Sequence, residues 1–577
     1  MGFIPAASAT PGDLDPDFGT AGLVRADLGG GNNESFAMAI QSDGKIVVVG
    51  YIVGGSSDFV VRRYETDGDL DPTFGTDGMV VTDFSSGDEE AHGVAIQSDG
   101  KIIVAGSTAG ANSQDFAVAR YETDGDLDPT FSSDGKVTTD IDSKYNSANA
   151  LAIQTNGKIL VAGTSSTGGA SQIFTLVRYT TTGSVDTSVT TSFGASPSIA
   201  TSIAIQSSGK IIVGGSVGTD FALARYKSDL TLDETFGTGG LTTPGISNTE
   251  ARINSIALQS TGEIVAAGYG QISGVYKFVL SRYTTDGLLD DTFGDNGVVT
   301  TSIGDGDDSG VASVAIQNDG KIVAGGWSLI DEIFIFAVMR YESDGSNDST
   351  FGDDGLVTTN VNDGDGVESY ITGLKIQSDG KIVVSGTAGM NAGNFTFALA
   401  RYMGSGTNVP DAPTLNSVTG GDRKVVVSFT AGADNGSAIT DYEYSLNGGA
   451  YTSAGTTTSP FTINGLNGRS SYTITIKAKN SAGLSIASAS RSARTTDSSL
   501  DASDAAAAAE AQRQRELTEL LSVIPTIAGL ALNLGTLTND VLGVPKSSST
   551  KQKCVKGTKT KYVKKGAKCP AGYKKKK

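Results

Sequence analysis

IQSDGK at Ile40–Lys45 decides the fold, because it recurs along the chain. The same six residues stand at Ile96–Lys101 and begin again at Ile376. Close copies begin at Ile153 (IQTNGK), Ile205 (IQSSGK), Leu258 (LQSTGE) and Ile316 (IQNDGK). Successive copies lie 56, 57, 52, 53, 58 and 60 residues apart. A near-constant period of this size means one supersecondary unit stacked several times.

Two further marks share the period. Leu-Asp-x-x-Phe-Gly begins at Leu14, Leu70, Leu127 (with Ser132 for the Gly), Leu232 and Leu289, with degraded copies at Val185 and Asn347. Arg-Tyr occurs at Arg63-Tyr64, Arg120-Tyr121, Arg178-Tyr179, Arg225-Tyr226, Arg282-Tyr283, Arg340-Tyr341 and Arg401-Tyr402. Between them lie short β-rich runs, in the second unit 93–97, 101–106, 116–121 and 136–141. Asp99-Gly100 predicts a two-residue hairpin between the first two. Four antiparallel strands in each of seven units predict an all-β chain headed by a seven-bladed β-propeller. The chain opens with a fourth-strand segment, Gly22–Leu28, and the repeats end on a third strand at Tyr402. The N-terminal segment is therefore expected to complete the seventh blade and remove its free edge.

These three motifs resemble the delta-60 repeat, a bacterial β-propeller family, over Leu14–Tyr402. The resemblance implies a secreted or cell-surface protein and no known reaction. Pro410–Thr496 resembles a fibronectin type III domain, with Tyr472 as its tyrosine corner and Phe429 in place of the usual core Trp. The last stretch resembles the Lys-rich, two-Cys terminus of secreted actinobacterial proteins. The expected organisation is a leader (1–13), the propeller (14–404) and the sandwich (409–497). An Ala-rich helix with a mildly apolar segment (498–545) and a basic tail (546–577) follow.

The net charge of −20 is unevenly spread. Lys551–Lys577 holds 12 Lys and no acid, leaving 31 basic and 63 acidic side chains before it, a net of −32. Such a body repels phosphate, so nucleic acid is not an expected partner. The tail suits an anionic wall polymer or lipid headgroups. Cys554 and Cys569, the two cysteines, are both in that tail and are expected to pair in an oxidising compartment. No run of 18 apolar residues suggests a transmembrane helix. Ala7-Ser8-Ala9 has the small-x-small form that ends a secretory signal, with little before it, and reads as a truncated signal peptide.

In a four-stranded blade, the one-to-two and three-to-four loops share one face of the disc. Here those loops are the repeated motifs. The two-to-three loops and the links between blades share the other face, and they differ from blade to blade. Function is expected on that variable face. Tyr51, Tyr269 and Trp327 follow the second-strand Gly in three blades and are candidates for a glycan or protein contact. Asp305, Asp307, Asp308, Asp363 and Asp365 make oxygen-rich loops with the character of a Ca²⁺ site, although the spacing matches no EF-hand. The Arg of each Arg-Tyr pair is expected to brace the Asp of the following motif. His92 is the one histidine, which argues against His-based catalysis. The expected protein is a surface binding or adhesion protein and not an enzyme. The alternatives are a wall-associated scaffold and a carbohydrate-active enzyme.

Overall fold

The computed structural model describes residues 10–575, apart from 27–30, 86, 111–112, 143, 167–171, 195, 247–249, 305–307, 363–367, 391–393, 405–408, 433–438, 481–482, 524–550, 557–558 and 565–567. Seven four-stranded antiparallel sheets form the blades. Strand β1 (Leu23–Ala26) precedes the first blade, which is built from β2 (Glu34–Ile40), β3 (Ile46–Val53), β4 (Ser57–Tyr64) and β5 (Met79–Thr82). In the second blade the strands are Glu89–Ile96, Ile102–Ala109, Gln114–Tyr121 and Lys136–Thr139. The first three reach further toward the variable face than their hydrophobic runs suggest. The seventh blade closes as expected: β1 pairs antiparallel with Asn394–Tyr402, Leu23 opposite Ala400.

The core lies in the seams between blades. Val47, Val49, Phe59 and Val61 of the first blade pack on Ala91, Ile102, Val104 and Ala119 of the second. Burying one such large side chain is worth roughly 1.5–3 kcal/mol, so the seams dominate stability.

The three repeated motifs meet in one ion cluster per blade. Arg63 Nε lies 2.6 Å and Lys45 Nζ 2.8 Å from Asp71 Oδ2. The guanidinium stacks 4.5 Å over the Phe74 ring and donates to Thr123 O of the next blade. Asp71 Oδ1 accepts from Thr73 N and Oγ1, holding the turn. Burial alone would raise the Asp71 pKa, but hydrogen bonds from Lys45, Thr73 and Arg63 outweigh it and hold the carboxyl far below its usual range. In the seventh blade Asp15, from the start of the chain, accepts from Arg401 and Lys381. Glu263 replaces the lysine in the fifth blade, where Arg282 is the one cation paired with Asp290 among the described residues.

The SDGK hairpin differs from expectation by one residue. Gln97 N donates to Lys101 O and Gly100 N to Gln97 O, so the loop is Ser98-Asp99-Gly100. Gly100 adopts φ +89°, the left-handed conformation that closes a three-residue loop.

After the propeller comes a β-sandwich. One sheet joins Thr414–Gly421, Lys424–Thr430 and Phe461–Asn464. The other is built on Asp441–Leu446 and Ser471–Asn480. Phe429 lies 4.3 Å from Tyr442 in its core, and Tyr472 Oη accepts from Asn467 N. A separate unit begins at Thr496. It holds helix α1 (Ser498–Val523), capped by Asp497 through Leu500 N and Ser499 Oγ. It also holds a small three-stranded sheet in the tail, tied by the Cys554–Cys569 disulfide. No helix among the described residues is long and apolar enough to cross a membrane. Most of the mildly apolar segment, residues 524–545, lies outside the described residues.

Candidate functional site

A glycine in each second strand shapes the centre of the disc. A Cβ on Gly106 would lie 1.9 Å from Glu90 O of the first strand. Gly50, Gly163, Gly215, Gly268, Gly326 and Gly386 meet the same obstruction, at 1.8 to 2.1 Å. This close approach accompanies a β-bulge in the facing strand, where Ala91 pairs with Gly106 and Gly93 with Ala105, leaving His92 extra. The extra residues in blade order are Phe36, His92, Asn149, Thr201, Asn254, Ala312 and Thr372. All seven line a central channel of about 470 Å³.

Half of this ring is latched. Asn149 Nδ2 donates to Ala200 O at 2.6 Å, Thr201 Oγ1 to Ile253 O, and Asn254 Nδ2 to Val311 O at 2.7 Å. Each donor thus reaches the next blade just before its bulge. Thr372 Oγ1 lies 3.3 Å from Ser35 Oγ of the first blade, while at Ala312, Phe36 and His92 the side chains are of other kinds. Phe36 lies 4.7 Å from the His92 ring, and His92 Nε2 stands 3.4 Å from Glu90 Oε2.

On this side an aromatic and acidic arc rises toward the variable face. Trp327 packs edge-on to Phe334 at 5.2 Å, and Phe334 lies 5.4 Å from Tyr370. Tyr370 Oη donates to Glu368 and feels the Glu34 charge. Tyr51 lies 5.9 Å from Phe36, and burial, then the Glu34 carboxylate beside it, raises its pKa. The arc therefore runs through the sixth, seventh, first and second blades. Trp327 covers Gly310, where a Cβ would come within 2.8 Å of the indole. All of these aromatic side chains are half-buried, each leaving part of a ring open.

Two of the three expected aromatics, Tyr51 and Trp327, belong to this arc. Tyr269 forms a separate group in the fifth blade, edge-on to Tyr276 at 5.5 Å, with Glu250 accepting from both hydroxyls. Phe36, His92, Phe334 and Tyr370 were missed, and the sequence signal for the first two is their place just before the short Ala/Gly-rich run of a first strand. Of the acidic set, Asp305, Asp307, Asp363 and Asp365 lie outside the described residues. Asp308 Oδ1 accepts from Tyr276 N at 2.8 Å and anchors the neighbouring strand.

A different carboxylate group does assemble: oxygens of Asp58, Asp83 and Glu89 lie within 4.8 Å of one another. Glu89 is buried and accepts from Ser85 Oγ and Thr108 Oγ1. Burial, then the Asp83 charge, raises the Asp58 pKa. The group brings together one oxygen from each residue, three in all, against the six to eight Ca²⁺ takes. A larger hollow, about 810 Å³, lies on the motif face between the fifth and sixth blades. It is lined by the brace residues Arg282 and Asp290, and a similar hollow recurs around Arg63, so it belongs to the architecture.

The motif segments of every blade match one family model, described as a domain of unknown function (DUF5122) beta-propeller, at residues 41–74, 97–131, 154–188, 206–236, 259–293, 317–351 and 377–407. The blades are DUF5122 repeats. No curated protein matches the chain. Among solved structures, the extracellular domain of a hybrid two-component system from B. thetaiotaomicron is 12% identical, with TM-score 0.35. That match covers 82% of this chain and 57% of the sensor domain, so the chain spans little more than half of that relative. An ulvan lyase of a polysaccharide lyase family is 13% identical over 69% of this chain and 94% of its own, with TM-score 0.38. Virginiamycin B lyase from Staphylococcus aureus is 11% identical over 66% of this chain and 98% of its own, with TM-score 0.35. The expectation that the chain is not an enzyme does not stand, since two of these similar propellers are lyases by name. At such identities no reaction passes from them to the DUF5122 propeller.

Proposed function

We propose that the protein is an extracellular binding protein whose propeller recognises a glycan at the channel mouth on its variable face. The observation that carries this is the arc from Trp327 through Tyr370 to Tyr51, Phe36 and His92. Half-open aromatic rings stack on the apolar faces of sugars, and the neighbouring Glu34, Glu90 and Glu368 accept from sugar hydroxyls. The Cys554–Cys569 disulfide supports an oxidising location. In this reading the sandwich (409–497), with its Tyr472 corner, is a fibronectin type III spacer. The tail (546–577) holds an anionic wall polymer or lipid headgroups.

Full-length protein and its Trp327→Ala and Tyr51→Ala variants are to be tested on a glycan array. The expected result is binding that weakens about tenfold in each variant, about 1.4 kcal/mol. Equal binding by all three proteins overturns the reading.

A further inference from the structure

The channel below that arc differs in charge from the rest of the molecule. Among the described residues no Asp or Glu lines it, although the first 550 residues carry a net charge of −32. Arg252 and Lys375 line it instead, together with His92. Lys375 breaks a pattern. The equivalent residue, three places after the bulge, is alanine in the other six blades: Ala39, Ala95, Ala152, Ala204, Ala257 and Ala315. The Lys375 side chain meets channel water. Protein nevertheless surrounds it, and this confinement, with no carboxylate to offset it, lowers its pKa. Arg252 sits beside the Tyr269 hydroxyl, and its Nε is buried without an acceptor. Glu250, the nearest acid on that blade, is already engaged by Tyr269 and Tyr276. An ammonium with no carboxylate beside it and a guanidinium whose Nε lacks an acceptor are costly in a confined cavity unless something of opposite charge arrives.

We propose that the channel is an anion-binding site in which Lys375 and Arg252 receive a carboxylate or sulfate group of the ligand. This deepens the reading of the channel mouth as a glycan site and rests on it: the bound sugar bears an acidic group that enters the channel. Its hydroxyls meet the rim carboxylates. A long polyanion is excluded, because Glu34, Glu90 and Glu368 crowd the entrance. A single charged group passing them is drawn inward by the cations, which act strongly where water is confined.

His92 is the chain's single histidine and lies in the channel, so its imidazole is a lone reporter for nuclear magnetic resonance. Full-length protein with labelled histidine is titrated with sodium galacturonate, sodium sulfate and galactose. The expected result is a saturable shift of the His92 signals with galacturonate, at least tenfold weaker in Lys375→Ala and in Arg252→Gln. Sulfate shifting the signals as well extends the site to both anions; galacturonate alone restricts it to the carboxylate. Lys375→Ala restores the residue of the other six blades and is expected to keep or raise the melting temperature, which shows the variant folded. No shift with either anion, or equal affinity in folded Lys375→Ala, overturns the proposal. Glycan-array binding lost on Trp327→Ala, with no His92 shift by either anion, would leave the rim reading standing and the channel anion site refuted.

Discussion

Tyr64 ends in a buried hydroxyl with no hydrogen-bond partner. Its counterparts show what is missing. Tyr121 bonds Thr82 at 2.8 Å, and the same tie joins Tyr179 to Thr139, Tyr226 to Thr191, Tyr341 to Thr301 and Tyr402 to Thr359. Each tie crosses from a third strand to the fourth strand of the preceding blade. At the seam between the seventh and first blades that fourth strand is β1, and Ala26 stands opposite Phe397 where Thr82 stands opposite Phe59. Leaving one buried hydroxyl unpaired costs roughly 1–3 kcal/mol, and a new neutral hydrogen bond returns about 1. Ala26→Thr is therefore expected to stabilise the propeller by about 1 kcal/mol. A rise in the denaturant midpoint of full-length protein checks it. Ala26→Val, which adds bulk without a hydroxyl, should give no such rise. Arg62 shares this seam, with its guanidinium 5.7 Å over the Tyr64 ring and Nε and Nη1 unpaired. Nothing in the structure explains why arginine stands there.

The blade element rests on its second-strand glycine. Adding a methyl at Gly106 drives it into the Glu90 carbonyl, so Gly106→Ala should cost about 3 kcal/mol, as overpacking does. Gly54→Ala, whose Cβ would meet nothing within 4 Å, should cost little. Denaturant midpoints of the two variants check the contrast. The seven units, their strand order and the closing role of the N-terminal segment were legible because each leaves a recurring or terminal mark. The ion cluster was half legible: the Arg–Asp pair followed from spacing within one unit. Lys45 and its equivalents join that pair only once the hairpin brings the ends of β3 and β4 together. The bulge was not legible. It shifts pairing by one residue, which alternation of apolar side chains cannot register, and His92 fell just outside the expected first strand, 93–97. Tyr51 and Trp327 were found because they follow the conspicuous glycine. Tyr370 has no such marker, and its place in the arc depends on Phe334, a residue of the neighbouring blade.

Across the whole molecule, charge is divided between an acidic body and a tail whose 12 lysines carry no acid among them. At low salt, full-length protein should be retained by an immobilised polyphosphate in spite of its net charge of −20. A chain ending before Lys551 should flow through, and retention of that shorter chain would refute the tail's role. The ring itself has another whole-molecule property. Thr396 donates to Ala26 O across 370 positions of sequence, so β1 pairs with a strand made long after it. Until Tyr402 has been synthesised, β1 has no edge to join and the disc stays open. A chain with this topology is kept from completing its most stable form while it is still being made, the condition in which a polypeptide can be threaded through a narrow export pore.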